Sequence, residues 1–235
     1  MKKVVILQSN YIPWKGYFDL IHDADVFIFY DDVQYTKNDW RNRNKIMTAA
    51  GPRWLTIPTG IDANRLICDV ALNDPGWQKK HWDTIRQNYR RAPFFAHYRP
   101  FFEDIYLARE WRNLSQLNQH MIQQIARELL GVRTQFDDSR NYQLGGQRLD
   151  RLVDLISQSG ATHYISGPAA KAYIDEDTFA QTGVELVWKD YSGYPPYAQG
   201  DLPFEHGVSI LDLLFNVGPD SHQYIWGWRT GAEAP

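Results

Sequence analysis

Short apolar runs alternate with amphipathic segments at both ends of the chain. Residues 4–9 and 26–30 are nearly continuous apolar runs, typical of strands buried on both faces of a parallel sheet. The short amphipathic segment between them predicts a helix, so the N-terminus is expected to form a β-α-β unit. Residues 132–139, 163–167 and 184–191 predict three further strands.

The middle of the chain has helical rather than strand periodicity. Residues 77–91, 101–109 and 114–130 are predicted to be helices, and Gly131 provides a C-cap for the last one. Before them, two strands at 53–58 and 66–72 are predicted to form a hairpin with Gly60 in its turn. After them, helices are predicted at 147–159 and 209–218 and a helical turn at 169–174.

These elements together predict an α/β fold with a mostly parallel sheet and flanking helices. The helical block at about 77–130 lies between two α/β parts, so it is interpreted as a helical insertion. Residues 1–235 are expected to form a single domain, which is an ordinary size for one α/β unit.

Composition narrows the class of protein. The chain of 235 residues is 43% hydrophobic and 23% charged, as in globular proteins, and its formal charge of -3 gives no reason to expect nucleic acid as a partner. We expect neither a membrane span nor a signal peptide, and therefore a cytoplasmic location. The single cysteine, Cys68, excludes an intrachain disulfide and a multi-cysteine zinc site. Oligomeric state is left open.

Polar and aromatic side chains follow the first two predicted strands. In open α/β sheets, small-molecule ligands bind outside the carboxyl ends of the strands, where these loops are expected to lie. The candidate residues of these loops are Gln8, Asn10, Tyr11, Trp14, Lys15, Tyr17, Asp31, Asp32, Gln34, Lys37, Arg43 and Asn44.

Individual roles can be assigned to some of these residues. Asp31 or Asp32 would act as a general base or hold a divalent cation, unless they only end the strand and begin a turn. Lys15, at the start of the first helix, and Arg43 would contact an anion. Tyr11 and Trp14 would form a stacking wall. For each loop, the alternative is a polar turn without a ligand.

A second candidate loop follows the strand at 163–167. Ser166 and Gly167 would expose a hydroxyl and backbone N–H groups to an anion, with Lys171 closing over them. If the sheet is parallel, this loop emerges at the same edge as the N-terminal loops and forms a second wall of one site. The alternative is a tight strand-to-helix connection. His81, on a predicted helix, is expected to lie on a solvated surface rather than to face a substrate.

Five motifs occur in an order that resembles one known family. They are LQSNYIPWKGYFDLIHDADVFIFYDDVQYTKNDWRNRNKI at the N-terminus, WLTIPT at 54–59, WQKKHWDTIRQNYRRAPFF at 77–95, YISGPAAKAYID at 164–175 and SILDLLFNVGP at 209–219. This order is similar to that of the WbqC-like proteins. The resemblance implies a bacterial protein of O-antigen or other surface-glycan biosynthesis. The family usually opens with His-Gln-Pro, whereas this chain has Leu7, Gln8 and Ser9.

The resemblance and the polar loops together predict an enzyme that acts on a small polar molecule. Acyl or aminoacyl transfer to an amino group of a nucleotide-linked sugar is the most concrete form. An ATP-dependent ligase or nucleotidyltransferase of HIGH-like ancestry is an alternative, although residues 13–17 contain no histidine. A non-catalytic protein that binds a glycan precursor is another. Mg²⁺ and ATP are left open as cofactors.

Overall fold

The computed structural model of the protein describes residues 1–74, 76–172, 174, 179–200 and 202–229. Its strands are β1 (Lys3–Leu7), β2 (Val26–Phe29), β3 (Arg43–Thr48), β4 (Gly51–Thr56), β5 (Gln135–Asp138), β6 (His163–Ser166) and β7 (Glu185–Trp188). Five of them form a parallel sheet in the order β5-β2-β1-β6-β7, whereas β3 and β4 form a separate antiparallel hairpin. The predicted α/β class is confirmed.

Six α-helices are present in the described residues. They are α1 (Lys15–Asp23), α2 (Gly76–Tyr89), α3 (Phe95–Glu103), α4 (Leu114–Gln124), α5 (Arg148–Gln158) and α6 (Ile210–Val217). The Asn113 side chain caps α4 by accepting a hydrogen bond from the backbone N–H of Gln116 at 3.0 Å. Gly131 adopts φ +67° after the same helical segment, as its C-cap position predicts.

The central strands carry apolar side chains on both faces, which is why their sequences show no alternation. Val5, Phe27 and Phe29 belong to a large hydrophobic cluster that also contains side chains of α1, α2, α3, α4 and α6. Val4 and Ile28 belong to a second cluster on the opposite face, where α5 packs. The helical block between β4 and β5 therefore shares the main core with the sheet, which supports the interpretation of a single domain.

The hairpin was predicted at the wrong place. Residues 51–56 pair with 43–48, not with 66–72, and residues 67–69 form a short 3₁₀ turn. Asn44 and Ile46 point inward on β3, and Asn44 donates its amide to the carbonyl oxygens of Tyr11 at 3.1 Å and Ile12 at 2.9 Å. A buried amide in place of an apolar residue conceals the two-residue period of this strand.

The start of α3 also differs from the prediction. The helix begins at Phe95 rather than near 101, and it contains Pro100. Burial of Phe95, Tyr98 and Phe102 on one face stabilises the helix despite the backbone hydrogen bond that the proline removes.

No helix in these described ranges combines the length and the apolar content that a membrane crossing requires.

Candidate functional site between two strands

The order of the strands creates a crevice between β1 and β6. From β1 the chain passes through α1 to β2 on one side of the sheet, whereas β6 pairs with β1 on the other side. Such a reversal in the order of the strands is where open α/β sheets bind ligands, at the carboxyl ends of the strands.

A cavity of about 400 Å³ lies at this position. Its apolar wall includes Leu7, Leu20 and Ile165, and its polar groups belong to Gln8, Arg41, Ser166 and Gly167. Its size falls in the range of small-molecule sites. The loops after β1 and β6, which the sequence indicated as two walls of one site, are therefore brought together.

Arg41 is held by two neutral amides. Its Nη1 donates to Asn10 Oδ1 at 2.6 Å and its Nη2 donates to Gln8 Oε1 at 2.9 Å. Asp39 is farther away, with its Oδ2 at 3.7 Å from Nη2. Amide oxygens orient the guanidinium without cancelling its charge, so Arg41 is a positioned cation that can attract an anion into the cavity.

Two tyrosines complete the surroundings of Arg41 and Gly167. The Tyr17 hydroxyl donates to the backbone carbonyl of Gln8 at 3.0 Å, and burial, followed by the nearby Asp31 carboxylate, raises its pKa. A Cβ atom on Gly167 would lie 3.3 Å from the Tyr191 hydroxyl oxygen. Burial also raises the pKa of Tyr191, so both phenols remain protonated and can act as hydrogen-bond donors at neutral pH.

The carboxylates of Asp31 and Asp32 are already hydrogen-bonded. Asp31 is fully buried and accepts from the backbone N–H of Ser9 at 2.8 Å and from the side chains of α4 residues Ser115 and Gln119. Asp32 accepts from Ser139 and pairs with Arg151. The bonds of Asp31 fix the loop after β1 to α4, and the contacts of both carboxylates would compete with a metal ion for their oxygens.

A cluster of possible metal ligands lies elsewhere. Asp19, His22 and Asp23 place one ligand atom each within 4.8 Å of one another, and no other such group of three occurs in the described part of the chain. However, Asp19 and Asp23 both pair with Lys189. The lysine ammonium takes the place that a cation would occupy, so this cluster is better explained as an ion-pair network.

Other predicted site residues lie away from the cavity. The Tyr11 hydroxyl contacts His81 Nδ1 at 2.8 Å and Tyr106 Oη at 2.6 Å in the core. Trp14 packs edge-on against Tyr191 and Tyr194, at centroid distances of 5.1 and 6.0 Å. Asn44 is buried in the core, whereas Gln34 and Lys37 are exposed. Arg43 lies over the ring of Trp54, and Lys171 lies over the ring of Trp188.

Lys15 is buried among aromatic rings. Only 3% of its surface is exposed, and its ammonium lies 4.9 Å from the ring centroid of Tyr194 and 5.5 Å from that of Tyr197. Among the residues described, no carboxylate oxygen lies within 4.0 Å of it. Burial lowers its pKa to about 8. An anion contact at Lys15 would therefore require Tyr194, Tyr197 and Phe204 to move away.

Replacing Lys15 with Met is expected to stabilise the protein at pH 7 by about 1–2 kcal/mol, since the buried charge is removed while the length of the side chain is kept. The folded pKa of about 8 lies below the ordinary 10.5. The unfolded chain therefore binds more protons between these values, and wild-type stability rises across that window. Urea denaturation should show that Lys15→Met exceeds the wild type in unfolding free energy by less at pH 10 than at pH 7. A variant less stable than the wild type at pH 7 would show that the contacts of the Lys15 ammonium with the aromatic rings stabilise the fold by more than burial of its charge costs.

The sequence favoured Arg43 over Arg41 as an anion contact and gave no signal for Tyr191. Which of the two arginines enters the cavity depends on how the turn before β3 is held. Asn42 fixes that turn through its backbone carbonyl, which accepts from the N–H of Ile57 at 2.8 Å, and through its amide, which donates to the Ile57 carbonyl at 3.0 Å. No local pattern signals this contact.

Comparison with known proteins agrees with the motif order. The model of the WbqC-like protein family matches residues 8–224, which includes every residue of the cavity described above apart from the β1 residues that precede Gln8. The chain belongs to the WbqC-like protein family.

This WbqC-like protein has a relative of almost the same length. It is 44% identical over 227 residues to "Uncharacterized protein Rv1507c" of Mycobacterium tuberculosis, and the match covers 96% of this chain and 98% of the relative. No solved structure matches this WbqC-like chain.

Proposed function

We propose that this WbqC-like protein is a transferase of bacterial glycan or specialised-metabolite assembly, with its substrate in the cavity between β1 and β6. The substrate would be an anionic, amino-bearing molecule such as a nucleotide-linked amino sugar, and the reaction an acyl or aminoacyl transfer to the amino group. The observation that carries the proposal is the meeting of Gln8, Arg41, Ser166 and Gly167 at the point where the strand order reverses.

The residues of the cavity suit such a substrate. A guanidinium has five N–H donors, and the two amide contacts of Arg41 leave others for phosphate or carboxylate oxygens. The Ser166 hydroxyl can donate to or accept from a sugar hydroxyl, and the glycine at 167 lets the ligand approach the backbone closely. The apolar wall limits the size of the group that can enter.

The roles of the two aspartates follow from their contacts. In this proposal Asp31 is a positioning residue, because its carboxylate fixes the N–H of Ser9 beside Gln8. Asp32 is less deeply buried and does not line the cavity, so a general-base role would require both release of its contact with Arg151 and a substrate that extends beyond the cavity. The proposal requires no metal ion for either role.

Replacing Arg41 with Met should weaken binding of UDP-glucosamine by about 10–100-fold, the range expected for losing a hydrogen bond to a charged group. Arg90→Met is the matched control, since it removes the same charge from an exposed residue outside the cavity. Isothermal titration calorimetry measures both affinities, and the melting temperatures show whether the variants fold. Equal losses in the two variants, or a loss only at Arg90, would contradict the proposal.

Turnover separates an enzyme from a binding protein. The protein should convert UDP-glucosamine to an N-acylated product when it is supplied with acetyl-coenzyme A, or with ATP, Mg²⁺ and an amino acid, and mass spectrometry detects the added group. Release of pyrophosphate in the second mixture would assign the ATP-dependent ligase alternative. Recovery of unchanged UDP-glucosamine from both mixtures, despite tight binding, would favour a protein that only holds a glycan precursor.

A further inference from the structure

Two partly exposed tryptophans pack against each other, Trp54 on β4 and Trp40 in the segment that leads into β3. Trp40 and Trp54 keep 43% and 38% of their surface exposed. Their ring centroids are 5.3 Å apart, with the planes inclined by 42°. Trp40 directly precedes Arg41, which lines the cavity. Adjacent exposed aromatic rings of this size indicate a binding surface, because they leave apolar area in water that packing could have removed.

Two cations flank the tryptophans. The guanidinium carbon of Arg43 lies 4.3 Å from the ring centroid of Trp54, and the ammonium of Lys45 lies 5.3 Å from it. Alternation along β3 turns both side chains outward while Asn44 and Ile46 point inward, and the β3–β4 register pairs Lys45 with Trp54. The strand pairing therefore fixes Arg43 and Lys45 against Trp54.

The charges of these two cations are not satisfied by direct ion pairs. In the parts of the chain that the structure describes, no carboxylate oxygen lies within 4.0 Å of the side-chain nitrogens of Arg43 or Lys45. The Nε of Arg43 is buried and has no hydrogen-bond acceptor. The nearby Asp39 is engaged by Thr36 and by the backbone N–H of Trp40. The donors left for an incoming anion are therefore the Nη groups of Arg43 and the ammonium of Lys45, because the buried Nε is out of reach.

We propose that Trp40, Arg43, Lys45 and Trp54, here called the indole platform, bind an acidic saccharide. A pyranose ring has a face of C–H groups that can pack on an indole, and a carboxylate on the sugar can accept from Arg43 and Lys45. A nucleic acid fits less well, because the platform has only two cations and the chain has a formal charge of -3. The platform is separate from the cavity, and it adds a carbohydrate-binding surface to the proposed transferase.

Binding of tetragalacturonate tests the indole platform, with neutral maltotetraose as the comparison ligand. Calorimetry should show Trp40→Ala and Arg43→Met binding tetragalacturonate at least about tenfold more weakly than the wild type, which corresponds to about 1.4 kcal/mol. Maltotetraose should bind more weakly than tetragalacturonate. Leu107→Ala and Arg90→Met, which alter an exposed apolar and an exposed cationic residue elsewhere, should leave tetragalacturonate binding unchanged.

Arg41→Met separates this inference from the proposed function, because it alters the cavity and should leave tetragalacturonate binding unchanged. If Trp40→Ala fails to fold, Arg43→Gln provides the same test on an outward-facing residue.

The inference is overturned if tetragalacturonate does not bind, or binds equally to wild type and platform variants. It is also overturned if a short single-stranded DNA binds the platform and tetragalacturonate does not. Light scattering that shows a dimer disrupted by Trp40→Ala, without saccharide binding, would instead assign the platform to self-association.

Discussion

Replacing Asp19 with Asn should destabilise the protein by about 3–5 kcal/mol, the usual cost of removing one partner from a buried ion pair. Asp19 is fully buried on α1, and its carboxylate accepts from Arg229 Nη1 at 2.9 Å and Nη2 at 2.6 Å. Lys189 Nζ lies 2.9 Å from the same carboxylate, and the Tyr194 hydroxyl donates to it. A neutral amide would leave a buried lysine and an arginine with much of their charge uncompensated.

Urea denaturation at pH 7 measures this loss of stability directly. Asp83→Asn is a suitable control because Asp83 forms exposed pairs with Lys79 and Arg86 on α2, and its replacement should change stability little. The Asp19 variant should also release the segment around Tyr194 that covers Lys15, which limited proteolysis would detect. A loss no larger than that of the control would mean that the network contributes no net stability.

Acid should weaken the fold through His81, by about 2 kcal/mol between pH 7 and pH 5. Burial lowers the pKa of His81 to about 4, against an ordinary 6.5. The unfolded chain therefore binds more protons than the folded chain between these values. The contribution of the neutral imidazole to stability is complete above pH 6.5, falls as the pH decreases, and is lost by about pH 4.

The contacts of His81 connect this titration to the candidate site. Its Nε2 lies 3.2 Å from the carbonyl oxygen of Thr56, which can only accept, so Nε2 carries the proton and Nδ1 accepts from the Tyr11 hydroxyl. Tyr11 lies in the loop after β1, next to the Asn10 that orients Arg41. Protonation of Nδ1 would remove the acceptor of Tyr11 and loosen this loop.

A glutamine at position 81 can accept from Tyr11 and donate to Thr56 without titrating. The difference in stability between pH 7 and pH 5 should therefore be about 2 kcal/mol smaller in His81→Gln than in the wild type. His97→Gln, at an exposed position, should follow the wild type. If the three proteins lose the same stability over this interval, the acid sensitivity arises from other groups.

The parallel sheet could be predicted because its central strands are buried on both faces and appear as apolar runs in the sequence. The placement of ligand sites at the carboxyl ends of parallel strands also predicted that the loops after β1 and β6 would meet, and Gln8, Ser166 and Gly167 line one cavity. The hairpin could not be predicted, because a core amide at Asn44 replaces the apolar residue that strand periodicity would require.

The choice among polar side chains depended on contacts between distant parts of the chain. Lys15 is the first residue of α1, where a cation and the helix N-terminus could bind an anion, but the rings of Tyr194, Tyr197 and Phe204 cover it. Arg41 and Arg43 are separated by one residue, and contacts with distant residues, such as the pairing of Asn42 with Ile57, hold the turn that directs Arg41 toward the cavity. Burial of His81 likewise depends on Tyr11 from the first loop.

Two other cavities provide clear alternatives to the site between β1 and β6. One of about 620 Å³ lies near Lys2 and Arg133, at the amino ends of β2 and β5, and one of about 560 Å³ lies near Trp188 and Arg229. Neither contains the loops after both β1 and β6. They show where a ligand would be found if the strand-order argument fails.

A crystal structure of the protein soaked with UDP-glucosamine tests the central claim most directly. We expect ligand density between β1 and β6, with a phosphate oxygen within about 3.2 Å of the Arg41 guanidinium and a sugar hydroxyl near Ser166. Ligand density in either alternative cavity, or at the start of α1 after displacement of Tyr194, Tyr197 and Phe204, with the β1–β6 cavity holding only water, would contradict this placement.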